Sequence, residues 1–559
     1  MASVRAARLP RPQSPEALPQ MYTPRHPLLI AGLEHQAARR WEAAAAAVVA
    51  YLQIQEQDPR AWLLLAQIYS ELQLFFQEAG CLERYLALNP ADVRGLFLLT
   101  SAWTYIGQRE GVRSCYQRLL QLNPAGAQWF AALPPGARAE LEAKRYSLFF
   151  HYLLVLYADP DVPDARLFDY IDSLPPPPDA PERPDPPLAE TSLRQSGPIR
   201  VGYLSHELGD FSSSTALWPV LSHHGPEVEL YAYNDTPPAQ QSRLTSAFRG
   251  FFAHWREVSA LDNAQLAELI RADGIEVLVD MGGITNADRH ALFMRHPAPV
   301  QIGGLGFGFS AGHRGIAYCF SDRRLCPPEI AARFPEEVVL LESVCHWFPP
   351  EAYPLAEPPC VQNGYVTFGS ANTLNKLNER VIALWARILL QLPTARLFLK
   401  TPAMNDPYVQ AYWRELFAVL GVDARQLLFA GQGEAAHVPN FYPRIDIALD
   451  AFPYQGGVTS CEALWMGVPV LSLRHPDFRA RAGTANILTV IGLDDWLADT
   501  EETYLERALT WAADPAFLQN QRSQLRDRLL ASPICDGPAA TREIEQAFFS
   551  LRQRVDGDP

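Results

Sequence analysis

The sequence predicts an α/β chain with an all-α N-terminal part: helical repeats first, then two doubly wound lobes built on parallel sheets. Three observations predict this. Asp-Pro and Asn-Pro junctions recur before residue 130 at the spacing of helix-pair repeats. A proline-rich run, SLPPPPDAPERPDPPLAETSLRQSG, then interrupts the chain. Beyond it, continuous apolar strand segments alternate with helical ones in two successive series, the pattern of parallel sheets covered on both faces.

The bulk properties bound the rest. At 559 residues the chain exceeds one ordinary domain. A hydrophobic fraction of 48% and a charged fraction of 19% supply several cores. The net charge of -15 and pI of 5.4 make the chain repel phosphate backbones, which excludes nucleic acid from the expected partners. The eight cysteines are scattered, with no CxxC pair and no Cys/His ligand spacing. That fits reduced thiols in a cytoplasmic protein, and no metal is expected. Residues 1–25 are rich in Pro and Arg, lack a signal-peptide core and are expected to be a disordered tail. No apolar run is long enough to span a membrane.

Residues 26–130 read as tetratricopeptide-like repeats. The junctions DPRAWLLLAQ, NPADVRGLFLL and NPAGAQWFAAL place Pro59, Pro90 and Pro124 at spacings of 31 and 34 residues. Each follows an amphipathic helix, and each proline is expected at a helix start, where its missing N–H costs nothing. Stacked pairs make a concave surface suited to an extended polypeptide or another subunit; self-association stays open. Residues 131–172 read as bridging helices and 173–197 as a stiff linker.

A first lobe over 198–355 carries the strands IRVGYLS, VELYAYND, IEVLVDM and PVQIGGLGF. A second over 356–559 carries GYVTFGS, ARLFLK, QLLFAG, RIDIALDAF and VPVLSL. Ligands of such sheets sit at the carboxyl ends of the strands, here in the cleft between lobes.

Two helix starts in the second lobe suit an anion. In FGSANTLNKLNERVIALW, Asn378 is placed as an N-cap and Lys376 lies just before it, an ammonium beside a positive dipole end. In LDAFPYQGGVTSCEALWMG, the turn at Gly456 and Gly457 lets backbone approach a ligand, and Thr459 and Ser460 open a helix. Glu462 is placed in that first turn, set to accept from ribose hydroxyls or to complement the dipole.

These segments resemble the catalytic region of the tetratricopeptide-linked O-GlcNAc transferase and Spindly family. FGSANTLNKL is similar to the family's FGSFNNLxKI, and LDAFPYQGGVTSCEALWMGVPV to its LDTFPYNGGTTTSDALWMGVPV. IRVGYLSHEL, DGIEVLVDMGGITNADR and HPAPVQIGGLGFGFSAG resemble the family's first-lobe segments. The resemblance implies two Rossmann-like lobes of the GT-B type. It implies an inverting, metal-independent transferase moving N-acetylglucosamine from UDP-GlcNAc onto hydroxyls of a polypeptide gripped by the repeats. The UDP-sugar would be a substrate, with no cofactor. Carried over, Lys376 stabilises the leaving phosphate. Gly456, Gly457, Val458 and Thr459 cradle the diphosphate, and Glu462 faces the ribose. His437 packs near the uracil, Asn372 and Thr373 form the loop before the lysine, and Arg481 matches an arginine of a later loop.

The first lobe departs from the family. Phe211 stands where the family has a histidine, Ile284 replaces the histidine of its GHT stretch, and Gly304 and Gly308 replace Trp and Pro. The proton acceptor of an active enzyme would then be Asp210, His206 or a water relayed through the donor phosphate. His223 and His224 read as complementing a helix end or packing locally. A different reading is a repeat scaffold with a degenerate transferase unit; a third is a small-molecule sugar transferase whose repeats serve oligomerisation.

Overall fold

The repeats form because each junction supplies its own helix cap. Asp58 caps α3 (Pro59–Glu71) by accepting from the Arg60 amide at 3.0 Å, and Asp92 caps α5 (Val93–Ile106) through the Arg94 amide at 2.8 Å. Tyr51 donates its hydroxyl to Asp58, and Tyr85 to Asp92, so the same tyrosine–aspartate pair recurs in both repeats. Pro59 occupies the first helical position as expected, whereas Pro90 precedes the cap residue Asp92 and Val93 starts the helix. These helices pack in order with α1 (Pro27–Ala37), α2 (Trp41–Leu52), α4 (Phe75–Leu88) and α6 (Arg109–Gln121).

The computed structural model describes residues 26–121, 152–172, 181, 197–209, 211, 214–283, 286, 289–305, 310, 312, 315–348, 353–431 and 438–555. The expected tail over 1–25, the junction at Pro124, the first half of the bridge and nearly all of the linker lie outside them. Part of the bridge is described: helical residues 152–157 and α7 (Asp164–Asp172).

Two parallel sheets follow. The first has the order β3-β2-β1-β4-β5-β6-β7, with β1 Ile199–Ser205, β2 Val228–Asn234, β3 His254–Glu257, β4 Val277–Asp280, β5 Val300–Gly303, β6 Tyr318–Asp322 and β7 Glu337–Leu341. The second has the order β10-β9-β8-β11-β12-β13, with β8 Thr367–Ser370, β9 Arg396–Lys400, β10 Leu427–Ala430, β11 Ile447–Leu449, β12 Val470–Leu473 and β13 Leu497–Ala498. No strand of the second sheet has an exposed residue, and β4, β5, β8 and β12 are buried throughout. Burial on both faces is what makes these segments uniformly apolar. In each sheet the strand order reverses beside its first strand, between β1 and β4 and between β8 and β11. Such a reversal opens a crevice at the carboxyl ends.

Helices α8 (Ser214–Leu221), α9 (Arg243–Arg249) and α10 (Asn263–Asp273) belong to the first lobe. In the second, α11 (Glu379–Gln391) buries Val381, Leu384, Trp385, Ile388 and Leu389, the three- and four-residue spacing of one helix face. Each large apolar side chain so buried contributes roughly 1.5–3 kcal/mol. Next come α12 (Pro407–Val419), α13 (Val458–Trp465), α14 (Gly483–Val490), α15 (Glu501–Ala512) and α16 (Pro515–Leu530).

Long-range packing changes two expectations. The repeats share one apolar core with the second lobe: Leu96 and Ile106 belong to the same cluster as Leu374, Trp385 and Trp413, and Trp413 donates its indole N–H to the Ile106 carbonyl at 3.0 Å. And the stretch 356–559 is not wholly second lobe. Its last helix, α17 (Gly537–Val555), returns to the first lobe, burying Ile544, Phe548 and Leu551 with Ile199, Val201 and Leu217. His224 fixes that return, its ring nitrogens 2.8 Å from the Tyr203 hydroxyl and 2.9 Å from Glu545 of α17. It is therefore a long-range tie, while His223 does pack locally against the Pro219 carbonyl. No helix among the described residues is long and apolar enough to cross a membrane.

Candidate functional site

The reversal between β8 and β11 gathers most of the expected second-lobe residues. Asp450 leaves β11 and is almost fully buried. One carboxylate oxygen accepts from the Gly456 amide at 2.9 Å and from Asn372 Nδ2 at 3.1 Å, and the other from the Ser472 hydroxyl at 2.8 Å. These bonds tie the loop after β8 to the loop after β11. Burial raises the Asp450 pKa; the hydrogen bonds and the nearby Lys376 oppose that rise.

Lys376 closes a short 3-10 turn after β8 and is partly buried. Its ammonium donates to the Gln455 carbonyl at 2.8 Å and sits 3.9 Å from the centre of the Tyr454 ring. Burial lowers its pKa to about 8, with the Asp450 carboxylate working in the other direction. Gln455 is itself fixed on three further sides. Its amide donates to the Arg481 carbonyl at 3.1 Å, its Nε2 to the Leu473 carbonyl at 2.6 Å, and its Oε1 accepts from the Ala485 amide at 2.7 Å.

Helix α13 begins here. Gly457 is its N-cap, no side chain caps it, and a Cβ added at Gly457 would meet nothing within 4 Å. Val458 and Thr459 are the first helical residues, so their amides point along the positive end of the dipole. Gly456 has no such room: a Cβ there would lie 2.6 Å from the Ser460 hydroxyl and 3.0 Å from that of Thr459. Ser370, Asn372, Tyr442, Asp450, Thr459 and Ser460 are among the residues lining a small cavity at this crevice. A partly buried ammonium and an uncapped helix start beside one loop can bind a dianion and stabilise charge that develops on it.

Of the two helix starts expected to face an anion, only α13 is open. That of α11 is closed by Asn378, whose Oδ1 accepts from the Val381 amide at 3.0 Å and whose Nδ2 donates to the Ala158 carbonyl at 3.0 Å. Thr373 is exposed and donates to Asn375. Glu462 lies beyond the first turn, because the helix starts at Val458. It is buried, and its Oε2 is 3.0 Å from the Tyr442 hydroxyl, which also lies 2.9 Å from the Thr459 carbonyl.

Arg481 does not join this group, and its expected ligand role is corrected. Its side chain is fully buried, paired with Asp164 at 2.9 Å, and it donates to the carbonyls of Leu156, Tyr157 and Val162. The guanidinium faces the bridge, not the cavity. Arg481→Ala is therefore expected to unfold at lower urea, with a loss of about 3–5 kcal/mol, because Asp164 and several carbonyls lose a buried partner. Arg481→Lys should recover little, since one ammonium cannot match the planar fork. Urea unfolding checks both, and a loss under about 1 kcal/mol for the alanine variant would contradict the assignment.

In the first lobe Phe211 is buried. Gly304 adopts φ +93°, and a Cβ there would fall 2.2 Å from the Phe320 carbonyl oxygen, so only glycine fits. Both ring nitrogens of His206 are covered, and Nε2 is 3.6 Å from Glu207. Asp210, Ile284, Gly308 and His437 lie outside the described residues. Among the described residues no cluster of His, Cys, Asp and Glu could hold a metal. Asp450, Tyr454 and Gln455 were not singled out from the sequence; an aspartate at the end of an apolar strand, just before the Gly-Gly turn, is the signal that points to the first of them.

Comparison with known proteins places this geometry. The model of the family described as Glycosyl transferase family 41 matches residues 186–347 and 360–544, more than half of the chain. The sequence is 32% identical over 372 residues to the "Probable UDP-N-acetylglucosamine--peptide N-acetylglucosaminyltransferase SPINDLY" of Solanum lycopersicum, covering 65% of this chain and 39% of that protein. It is 30% identical over 365 residues to the protein of the same name from Arabidopsis thaliana, covering 63% of this chain and 39% of that one. The chain thus spans about 39% of the length of these curated relatives. A solved structure of a mutant Thermobaculum terrenum O-GlcNAc transferase matches with a TM-score of 0.79 at 28% identity, covering 95% of this chain and 97% of that one.

Proposed function

The chain belongs to glycosyl transferase family 41, and from that premise we propose that it transfers N-acetylglucosamine from UDP-GlcNAc to hydroxyl side chains of a polypeptide, with inversion and without a metal. The observation that carries the proposal is the Lys376 ammonium standing at the Gln455 carbonyl, one residue before the Gly456–Gly457 turn and the open start of α13. A diphosphate seated there would meet the amides of Val458 and Thr459 and the hydroxyl of Thr459. Bond breaking at the anomeric carbon leaves negative charge on UDP, and Lys376 is placed to stabilise it. Asn372 and Gly456 are held for this by Asp450. Glu462 and Tyr442 border the same helix and would set the ribose side, with His437 toward the base. The proton of the acceptor hydroxyl would go to Asp210 or, through water, to the donor phosphate.

The repeats would present an extended acceptor. The relatives are named peptide N-acetylglucosaminyltransferases, which supports a polypeptide acceptor and a UDP-GlcNAc donor. The test is mass spectrometry of proteins co-expressed with the wild-type chain or with Lys376→Ala. Lys376-dependent addition of N-acetylhexosamine supports the proposal. A second reading, a scaffold with a degenerate transferase unit, draws on the buried Phe211 in place of the family histidine. UDP binding without any transfer would select it. Titration with GDP beside UDP decides the nucleotide.

The charge state of Lys376 gives a pH prediction. With its pKa lowered to about 8, the lysine is charged at neutral pH and loses its proton as pH rises through 8. Bound phosphate favours the charged form, so above that pH binding must take up a proton. UDP affinity is expected to be level below pH 8 and to fall above it by up to about tenfold per pH unit. Calorimetric titration from about pH 6 to about pH 10 checks this, and a flat profile would contradict it.

A further inference from the structure

The repeats and the bridge hold the Lys376 segment from behind. Gly107, which ends α5 in the left-handed conformation at φ +81°, lies so close that a Cβ would come 2.8 Å from the Leu374 carbonyl oxygen. Arg109 opens α6 with 3% of its side chain exposed; it pairs with Glu379 at 2.8 Å and with Asp159 of the bridge at 3.2 Å. Asp159 also pairs with Arg113. Asn378, two residues after the lysine, donates to the Ala158 carbonyl at 3.0 Å and to the Phe452 carbonyl. The Tyr157 ring meets the Tyr454 ring edge-on at 5.5 Å, and Tyr454 is the ring beneath the ammonium. Residues 374–379 are thus bounded by the last described repeat on one side and the 157–159 turn on the other.

We propose that the repeat arm and the bridge are built into the donor site, with Arg109 and Tyr157 as positioning residues that set where the Lys376 ammonium stands. This rests on the reading of Lys376 as the cation that meets the donor phosphate. The second lobe alone leaves the segment tied through Gln455, Phe452 and the α11 cap. The outer wall, which fixes the turn, comes from residues 107–109 and 157–159. A charged group misplaced by about 1 Å loses on the order of a hundredfold in transition-state stabilisation, so a loosened wall should register at the lysine.

The sequence makes a direct readout practical, because it holds three lysines, Lys144, Lys376 and Lys400. Limiting acetic anhydride followed by peptide mass spectrometry reports the reactivity of Lys376 against Lys400, without any nucleotide. UDP affinity at neutral pH is measured in parallel on the full chain. Arg109→Ala is expected to raise the Lys376/Lys400 labelling ratio at least about threefold and to weaken UDP about tenfold. Arg109→Lys should fall between that variant and wild type. Glu379→Gln removes only an exposed partner and is safe for folding; it should shift the ratio in the same direction by less. Arg84→Ala, on an exposed ion pair elsewhere in the repeats, should change neither readout.

An unchanged labelling ratio and unchanged UDP affinity in folded Arg109→Ala or Glu379→Gln would overturn the proposal. So would an equal shift in Arg84→Ala. If the wild-type chain binds no UDP but Arg109→Ala still shifts the ratio, the positioning stands and the donor reading fails.

Discussion

Lys376→Met is expected to abolish sugar transfer and, in the same protein, to raise stability in the absence of nucleotide. The first effect follows from where charge develops. Removing a preorganised group that meets a developing anion lowers the rate by about 10²–10³, and the only lysine on this loop is the group in question. The second effect follows from the lowered pKa. The folded chain holds Lys376 near pKa 8, below its ordinary value of 10.5. Between those values the unfolded chain binds more protons, so stability rises with pH across the window, and below pH 8 the penalty for keeping the ammonium in place is present in full. At about 1.36 kcal/mol per unit the penalty is of the order of 3 kcal/mol. Methionine fills similar space without charge but forfeits the bond to the Gln455 carbonyl, so a net gain of about 1 kcal/mol is expected at neutral pH. Urea unfolding and mass spectrometry check the two parts. Transfer at the wild-type rate, or a variant less stable than wild type, would contradict this view of the site.

Asp450→Asn should do the reverse, weakening both the fold and the nucleotide site. Its carboxylate accepts from Gly456, Asn372 and Ser472, and an amide side chain offers one acceptor oxygen and an NH₂ that must face one of these donors. Breaking a buried charged network of this kind costs about 2–4 kcal/mol. The substitution also removes the negative charge that supports the Lys376 proton. The lysine pKa should drop further, so the alkaline edge of UDP binding should move below 8 and affinity at pH 7 should fall at least about tenfold. Thermal unfolding and UDP titration measure these effects. Wild-type stability together with an unmoved edge would show that Asp450 does not organise the loops.

How much was legible in the sequence depends on whether a feature is local. The cap at Asn378 and the open glycine at Gly457 are set by a few neighbouring residues and stand where the pattern places them, whereas the helix expected to open at Thr459 and Ser460 opens at Val458. The strand order was not readable in detail, but uniformly apolar strands separated by helices do require parallel sheets. Glu462 was placed a turn too early because the helix boundary falls at Val458, and boundaries are the weakest part of a pattern reading. Arg481 was placed with the ligand because it matches an arginine of a later loop in the family. Its partners, Asp164 and the carbonyls of the bridge, lie more than three hundred positions away, where no periodicity or motif points. The same applies to the return of α17 onto the first lobe and to the core shared by the repeats and the second lobe. An apolar helix face says that it will be buried, not against what.

The departures in the first lobe divide the candidate site. The second lobe keeps an ammonium, an open helix start and a buried carboxylate that orders them. In the first lobe, Phe211 and Gly304 serve packing: one is buried, and the other is held against the Phe320 carbonyl. The proposed nucleotide site therefore has a defined set of residues to test, and the acceptor side is where substitution experiments have the most to reveal.

A structure of the chain with UDP bound tests the central claim most directly. We expect a phosphate oxygen about 3 Å from the Lys376 ammonium and from the amides of Val458 or Thr459, with the ammonium moved off the Gln455 carbonyl. A nucleotide bound elsewhere, or one bound here with Lys376 still on that carbonyl, would contradict it.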